Sequence, residues 1–259
     1  MFSADDVMPV LFLAHGTPMN ALEQNRFTQG WCRLNETTPR PQAIVCISAH
    51  WETQGSRVTL GGAPQTIHDF GGFPPVLFAQ QYACPGADVL GTELRASDLG
   101  IEADARWGLD HGAWSVLKHL YPDADIPVLQ LSLDVNKTPA QHYALAQRLR
   151  RWRKTGVLFI GSGNIVHNIS KWMMQPQGPF DWAREFDRRV FSAIESGDFD
   201  AVVNYDQWQP WAKDAVPTPE HFLPLLYVLG LSDAGETLQC SNFIGKSIED
   251  YSMRSLRFG

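Results

Sequence analysis

Four apolar runs in this chain are continuous rather than alternating: residues 9–13 (PVLFL), 42–48 (QAIVCIS), 127–132 (PVLQLS) and 157–160 (VLFI). A strand with one face in water alternates apolar and polar residues, whereas a strand covered on both faces has no such requirement. Each run therefore predicts a strand buried between two layers. Helical signals fill the intervals. The clearest covers 139–154, where Thr138 can cap, Pro139 suits the first turn, Leu145, Leu149 and Trp152 share a face, and Gly156 stops the helix. Further helices are expected over 180–195 and 219–229. Strands alternating with helices predict an α/β fold, a single domain with a central, largely parallel or mixed sheet flanked by helices on both faces. The segments 236–240 and 252–258 read as added edge strands. No internal repeat interrupts the pattern, and 175–179 (QPQGP) is a loop rather than a linker, so residues 1–259 are expected to form one domain.

Composition narrows the partners. A net charge of −7 without any basic run disfavours nucleic acid and anionic lipid. The opening MFSADDVMPVLFLAHG has no basic n-region and only a short apolar stretch, so neither a signal peptide nor a membrane span is expected there. Cys32, Cys46, Cys84 and Cys240 are far apart and form no C-x-x-C pair, which fits buried, reduced thiols in a cytoplasmic protein. No apolar surface stripe stands out, so a monomer is expected. Nine tryptophans and fourteen phenylalanines suit either core packing or an aromatic-lined pocket for a flat substrate.

The residues directly after the strands narrow the chemistry. The first run leads into Ala14-His15-Gly16-Thr17-Pro18, the second into Ala49-His50-Trp51, and the fourth into a glycine-containing segment ending at His167-Asn168. Ligands of open α/β sheets bind beyond the carboxyl ends of the strands, so His15, His50 and His167 are expected on one rim. His111, in DHGAW (110–114), and His221, in TPEHFLP (218–224), are the other two contributors. Neutral imidazole is a good ligand for Fe(II) and Zn(II), and strand ends hold it rigidly, which makes His15 and His50 a candidate pair of metal ligands. Of the eight histidines, His119 and His142 sit in helical stretches and read as surface residues. His68 either lines the site or bonds backbone. The Gly161-Ser162-Gly163 turn is a weak phosphate cradle without a lysine, and Ser162 lacks the G-x-S-x-G frame of a nucleophile elbow.

Longer segments carry a resemblance. They are HGTP (15–18), PRPQAIV (39–45) running into SAHW (48–51), TIHDFGGFP (66–74), GLDHGAW (108–114), YPDADIPV (121–128), GSGN (161–164) with His167-Asn168, and PEHFLPLL (219–226). Together they span the chain from its first strand to its last helix. In them the chain resembles the class III extradiol ring-cleavage dioxygenases, the superfamily of the protocatechuate 4,5-dioxygenase catalytic subunit, and within it the DOPA 4,5-dioxygenase branch.

The resemblance implies a metal-dependent enzyme that opens a catechol such as L-DOPA with O2 to a semialdehyde. It implies His15, His50 and His221 as metal ligands. The protocatechuate type has a glutamate at the third position, and His221 is preferred over Glu220 because a one-residue shift on a helix points about 100° away. His167 resembles the family's acid–base histidine and is also a ligand in the resting state. His111 resembles a second histidine that contacts substrate or moves protons. One divalent metal is expected, Fe(II) for activity and Zn(II) in purified protein, since zinc outcompetes Fe(II) for nitrogen ligands. A zinc-dependent hydrolase, with His167 or Glu220 as base, and a non-catalytic binding module are the competing expectations.

Overall fold

A computed structural model describes residues 7–233, 235–241 and 253–259. The strands are β1 (Val10–Ala14), β2 (Ala43–Ser48), β3 (Glu52–Thr53), β4 (Ser56–Thr59), β5 (Ile101–Asp104), β6 (Val128–Gln130), β7 (Leu133–Asp134), β8 (Val157–Gly163), β9 (Leu238–Ser241) and β10 (Ser255–Phe258). The helices are α1 (Arg26–Thr37), α2 (Pro75–Phe78), α3 (Asp88–Ala96), α4 (His111–Leu120), α5 (Pro139–Leu149), α6 (Ile169–Met174), α7 (Asp181–Glu195), α8 (Phe199–Val203), α9 (Trp211–Ala215) and α10 (Leu223–Leu231). Six strands form the central sheet in the order β6-β2-β8-β1-β10-β9. The first four are parallel, β10 pairs antiparallel with β1, and β9 pairs antiparallel with β10. The sheet is therefore mixed, and the single-domain α/β expectation holds.

The unbroken apolar runs have the predicted cause. Alternate residues of each strand enter two separate cores. Val10, Phe12, Val45, Ile47, Val157 and Phe159 pack on one side, with Leu145 and Leu149 of α5, Phe186 and Val190 of α7, and α10. Leu11, Leu13, Ile44, Cys46, Leu158 and Ile160 pack on the other, with Trp31 of α1 and Trp114, Leu117 and Leu120 of α4. Each such side chain contributes about 1.5–3 kcal/mol on burial. All nine residues of α10 are buried, so this helix shows no amphipathic stripe.

Several boundaries differ from expectation. The β8 strand continues through Gly161-Ser162-Gly163, so that segment is strand and not a phosphate-cradling turn. The 139–154 helix has the predicted Thr138 capping box but is α-helical only to Leu149, and Arg150–Thr155 tightens to 3-10 before Gly156 at φ 81°. The helix expected from 219 begins at Leu223. Of the two C-terminal strands only β9 is an edge, because β10 lies between it and β1; residue 252 is outside the described residues. Cys46 and Cys84 are buried as expected, but Cys32 is exposed. The α6 helix presents Ile169, Trp172, Met173 and Met174 at the surface, an apolar stretch that no sequence pattern singles out. Among the described residues no helix is long and apolar enough to cross a membrane.

Candidate metal centre

The parallel register sets Ala14 beside Gly163 and Ser48 beside Ser162, so β1, β2 and β8 end level with one another. His15 follows β1 directly and His50 stands two residues past β2. His111 opens α4 because Asp110 caps that helix, accepting from Ala113 N, while also accepting from Ser48 Oγ at 2.6 Å and Gln130 Nε2 at 2.8 Å. His221 is delivered by a different device. Its carbonyl accepts from Asn164 N at 2.9 Å, and a Cβ on Gly163 would stand only 2.2 Å from that oxygen. A Cβ on Gly161 would likewise stand 2.5 Å from Pro224 O. The two glycines of β8 therefore admit the entry of α10 directly onto the strand.

The result is a tight group. His15, His50 and His221 each offer a nitrogen, and these atoms lie within 4.8 Å of one another. Their ring centroids are 4.9, 5.4 and 5.0 Å apart. The His111 ring lies 3.9 Å from that of His50. The outer nitrogens show which way each ring presents its lone pair. Ser162 Oγ donates to Gly112 O at 2.6 Å, so it accepts from His15 Nδ1 at 2.9 Å. His221 Nδ1 donates to Glu220 Oε1 at 2.9 Å, and His111 Nδ1 donates to Asp69 Oδ2 at 2.9 Å. With their protons on Nδ1, His15 and His221 carry lone pairs on Nε2.

His15 Nε2 and His50 Nε2 lie 3.1 Å apart. With its lone pair on Nε2, His15 accepts there from His50 Nε2–H, or the two nitrogens share a bound cation. Electrostatics keep His15 and His50 uncharged. Burial, then the neighbouring His50, His221, His111 and His167, holds His15 well below the usual histidine value. Burial and His111 do the same to His50. Three imidazole nitrogens, two of their rings with an outer hydrogen bond to protein, fit a divalent ion such as Fe(II) or Zn(II).

His167 stands beside the ligand group. Its ring stacks on His221 at 3.4 Å and 8°, and its nitrogen groups with Glu220 and His221 rather than with His15 and His50. Burial and the adjacent His221 pull its pKa down to about 4. Glu220 departs from the helical geometry expected for it, because residues 219–222 form a turn and not a helix. Its carboxylate comes back to His221 Nδ1. Burial alone would raise its pKa, but the hydrogen bond from His221 outweighs that and brings it to about 2.

The remaining histidines separate clearly. His68 bonds Gln80 O at 3.0 Å and stands among Phe70, Phe78 and Trp114. His119 and His142 are not surface residues. His119 is half-buried and bonds Asn20 O at 2.7 Å, and His142 is fully buried against Tyr227. Sequence reasoning does not find Ser162, Asp69 or the supporting role of Glu220. Their signal is contact across the fold, and only the proximity of Asp69 to His68 and of Glu220 to His221 is visible along the chain.

Residues 9–251 match the catalytic LigB subunit of aromatic ring-opening dioxygenases, and the chain belongs to that family of extradiol dioxygenases. Among its relatives is the 4,5-DOPA dioxygenase extradiol of Escherichia coli (strain K12), 43% identical over 260 residues and matched over 97% of this chain and 95% of that one. The protein of the same name from Beta vulgaris is 38% identical, with 91% and 90% covered. A crystal structure of an uncharacterized Escherichia coli K12 protein superposes with a TM-score of 0.77 at 37% identity, covering 97% of this chain and 100% of that one.

Proposed function

We propose that this chain, acting as one catalytic unit over residues 1–259 in the cytoplasm, opens the ring of a catechol such as L-DOPA with O2. The reaction takes place at one divalent metal held by His15, His50 and His221. The observation that carries this is the convergence of three imidazole nitrogens within 4.8 Å at the carboxyl rim of the sheet. Fe(II) is the ion expected to support turnover, and Zn(II) the one expected to displace it. Bound there, Fe(II) supplies a Lewis acid for the catechol oxygens and a route for electrons between ring and O2.

The protein's part is to place groups and move protons. His167, uncharged at neutral pH and beside His221, takes a proton from a catechol hydroxyl as it binds. His111, on the opposite flank beside His50, accepts the proton of the second catechol hydroxyl at Nε2 and returns it to oxygen when the ring opens. Phe70 stands edge-on to His111 at 5.6 Å and packs with Phe73 and Phe78, giving an apolar wall for a flat ring. The three-histidine set leaves the ion's charge uncompensated by a direct carboxylate, which favours an anionic catecholate over a neutral phenol.

The test is anaerobic loading of the metal-free chain with Fe(II), addition of L-DOPA, then air. A yellow product with stoichiometric oxygen uptake, absent in the Zn(II) form, is the expected result. Tight metal binding without oxygen uptake across a panel of catechols overturns the proposal.

A further inference from the structure

Asp69 stands outside the ligand set and the proton path proposed above, yet its carboxylate lies within 4.8 Å of nitrogens of both His50 and His111. It lies between His68 and Phe70, in the loop before α2. Its Oδ1 accepts from His111 N at 2.8 Å and its Oδ2 accepts from His111 Nδ1 at 2.9 Å. The same Oδ2 stands 3.5 Å from His50 Nδ1.

The first of these bonds has a local cause. His111 is the first residue of α4, where backbone N–H groups have no partner inside the helix. The Asp110 side chain serves Ala113 N, so His111 N is left for another acceptor, and Asp69 supplies it. A carboxylate anchored at both the backbone and the ring of one residue cannot swing away from either. The Phe70 edge closes the other side of the imidazole, at an interplanar angle of 86°.

We propose that Asp69 is a positioning residue: it holds the proton of His111 on Nδ1, so that His111 presents an unprotonated Nε2 to the cluster, and it orients His50 through the same oxygen. An imidazole without such a partner distributes its proton between two tautomers, and only one of them offers a lone pair at the inner nitrogen. Asp69 accepts from both the backbone N–H and the ring Nδ1 of His111, one bond to each carboxylate oxygen. The proposal rests on the assignment of His111 as a proton-handling residue for its consequence in catalysis, though not for its structural content.

Asp69→Asn separates the two. An asparagine can keep the bond from His111 N through its oxygen, but its amide then faces His111 Nδ1 as a donor and drives the proton to Nε2. The full chain, 15N-labelled and loaded with Zn(II), is compared as wild type, Asp69→Asn and Asp69→Glu by long-range 1H–15N correlation of the histidine rings. The expected result is Nδ1–H for His111 in the wild type and in Asp69→Glu, and Nε2–H in Asp69→Asn. With Fe(II), kcat on L-DOPA falls roughly 10–100-fold in Asp69→Asn, with KM changed much less and partial recovery in Asp69→Glu. An Nε2–H tautomer in the wild type, or an unchanged Nδ1–H tautomer in Asp69→Asn, overturns the proposal whatever the activity does. A switched tautomer with unaltered kcat upholds the positioning role of Asp69 and removes His111 from the proton path instead.

Discussion

His15 and His142 are both sealed from solvent, at 1% and 0% exposure, and burial depresses the pKa of both. Their surroundings make them different objects. His15 donates from Nδ1 to Ser162 Oγ and turns Nε2 towards His50 and His221. His142, on α5 and facing α10, bonds Tyr227 Oη through Nδ1 at 3.0 Å, and its Nε2 meets no hydrogen-bond partner among the described residues. A buried, neutral histidine is thus not in itself a site. The distinguishing feature is several lone pairs aimed at one point, each ring anchored from behind.

The comparison breaks most sharply at the ligands. His15→Ala or His221→Ala is expected to weaken Zn(II) binding on the order of 10²–10³-fold, at about 3 kcal/mol per lost ligand. His142→Ala is expected to leave it unchanged, and competition titration against a chelator reads both. A smaller loss, about 10–100-fold, is expected for Glu220→Gln, which keeps the shape but removes the carboxylate behind His221. The metal-free Glu220→Gln chain should melt close to the wild type. Gly163→Ala puts a methyl 2.2 Å from His221 O, so α10 must shift off β8. A cost of about 1–3 kcal/mol is expected, with lowered Tm and weaker Zn(II) binding appearing together.

The smallest effect concerns His142 alone. Its pKa is about 4 in the fold against 6.5 when exposed, so on acidification the unfolded chain takes up the proton first. Its contribution to stability is complete above about pH 6.5 and drains away towards pH 4. The Tm of the metal-free chain should therefore fall more steeply over that window in the wild type than in His142→Gln. Equal slopes would show that His142 is not held neutral.

The layers of this fold are legible because the apolar runs are short and unbroken, as strands covered on both faces permit. His15 and His50 are legible for a related reason, as they come straight after two such runs. The boundaries are less so. The β8 strand runs through Gly161-Ser162-Gly163, residues with turn-like composition, because glycine there serves the close approach of α10 rather than a turn. The α10 helix starts later than its composition suggests, since residues 219–222 look helical but are bent into a turn where His221 O accepts from Asn164 N.

Local pattern along the chain determined the α/β class, the buried strands and the two histidines beyond them, because burial periodicity and strand ends are properties of consecutive residues. Tertiary structure alone decided that His142 packs inward, that His167 stacks on His221, and that Ser162, Asp69 and Glu220 stand behind the rings. Those facts depend on which side chains meet across separations such as the 147 residues between His15 and Ser162, and on which nitrogen of each imidazole finds an acceptor. No spacing within the chain records either.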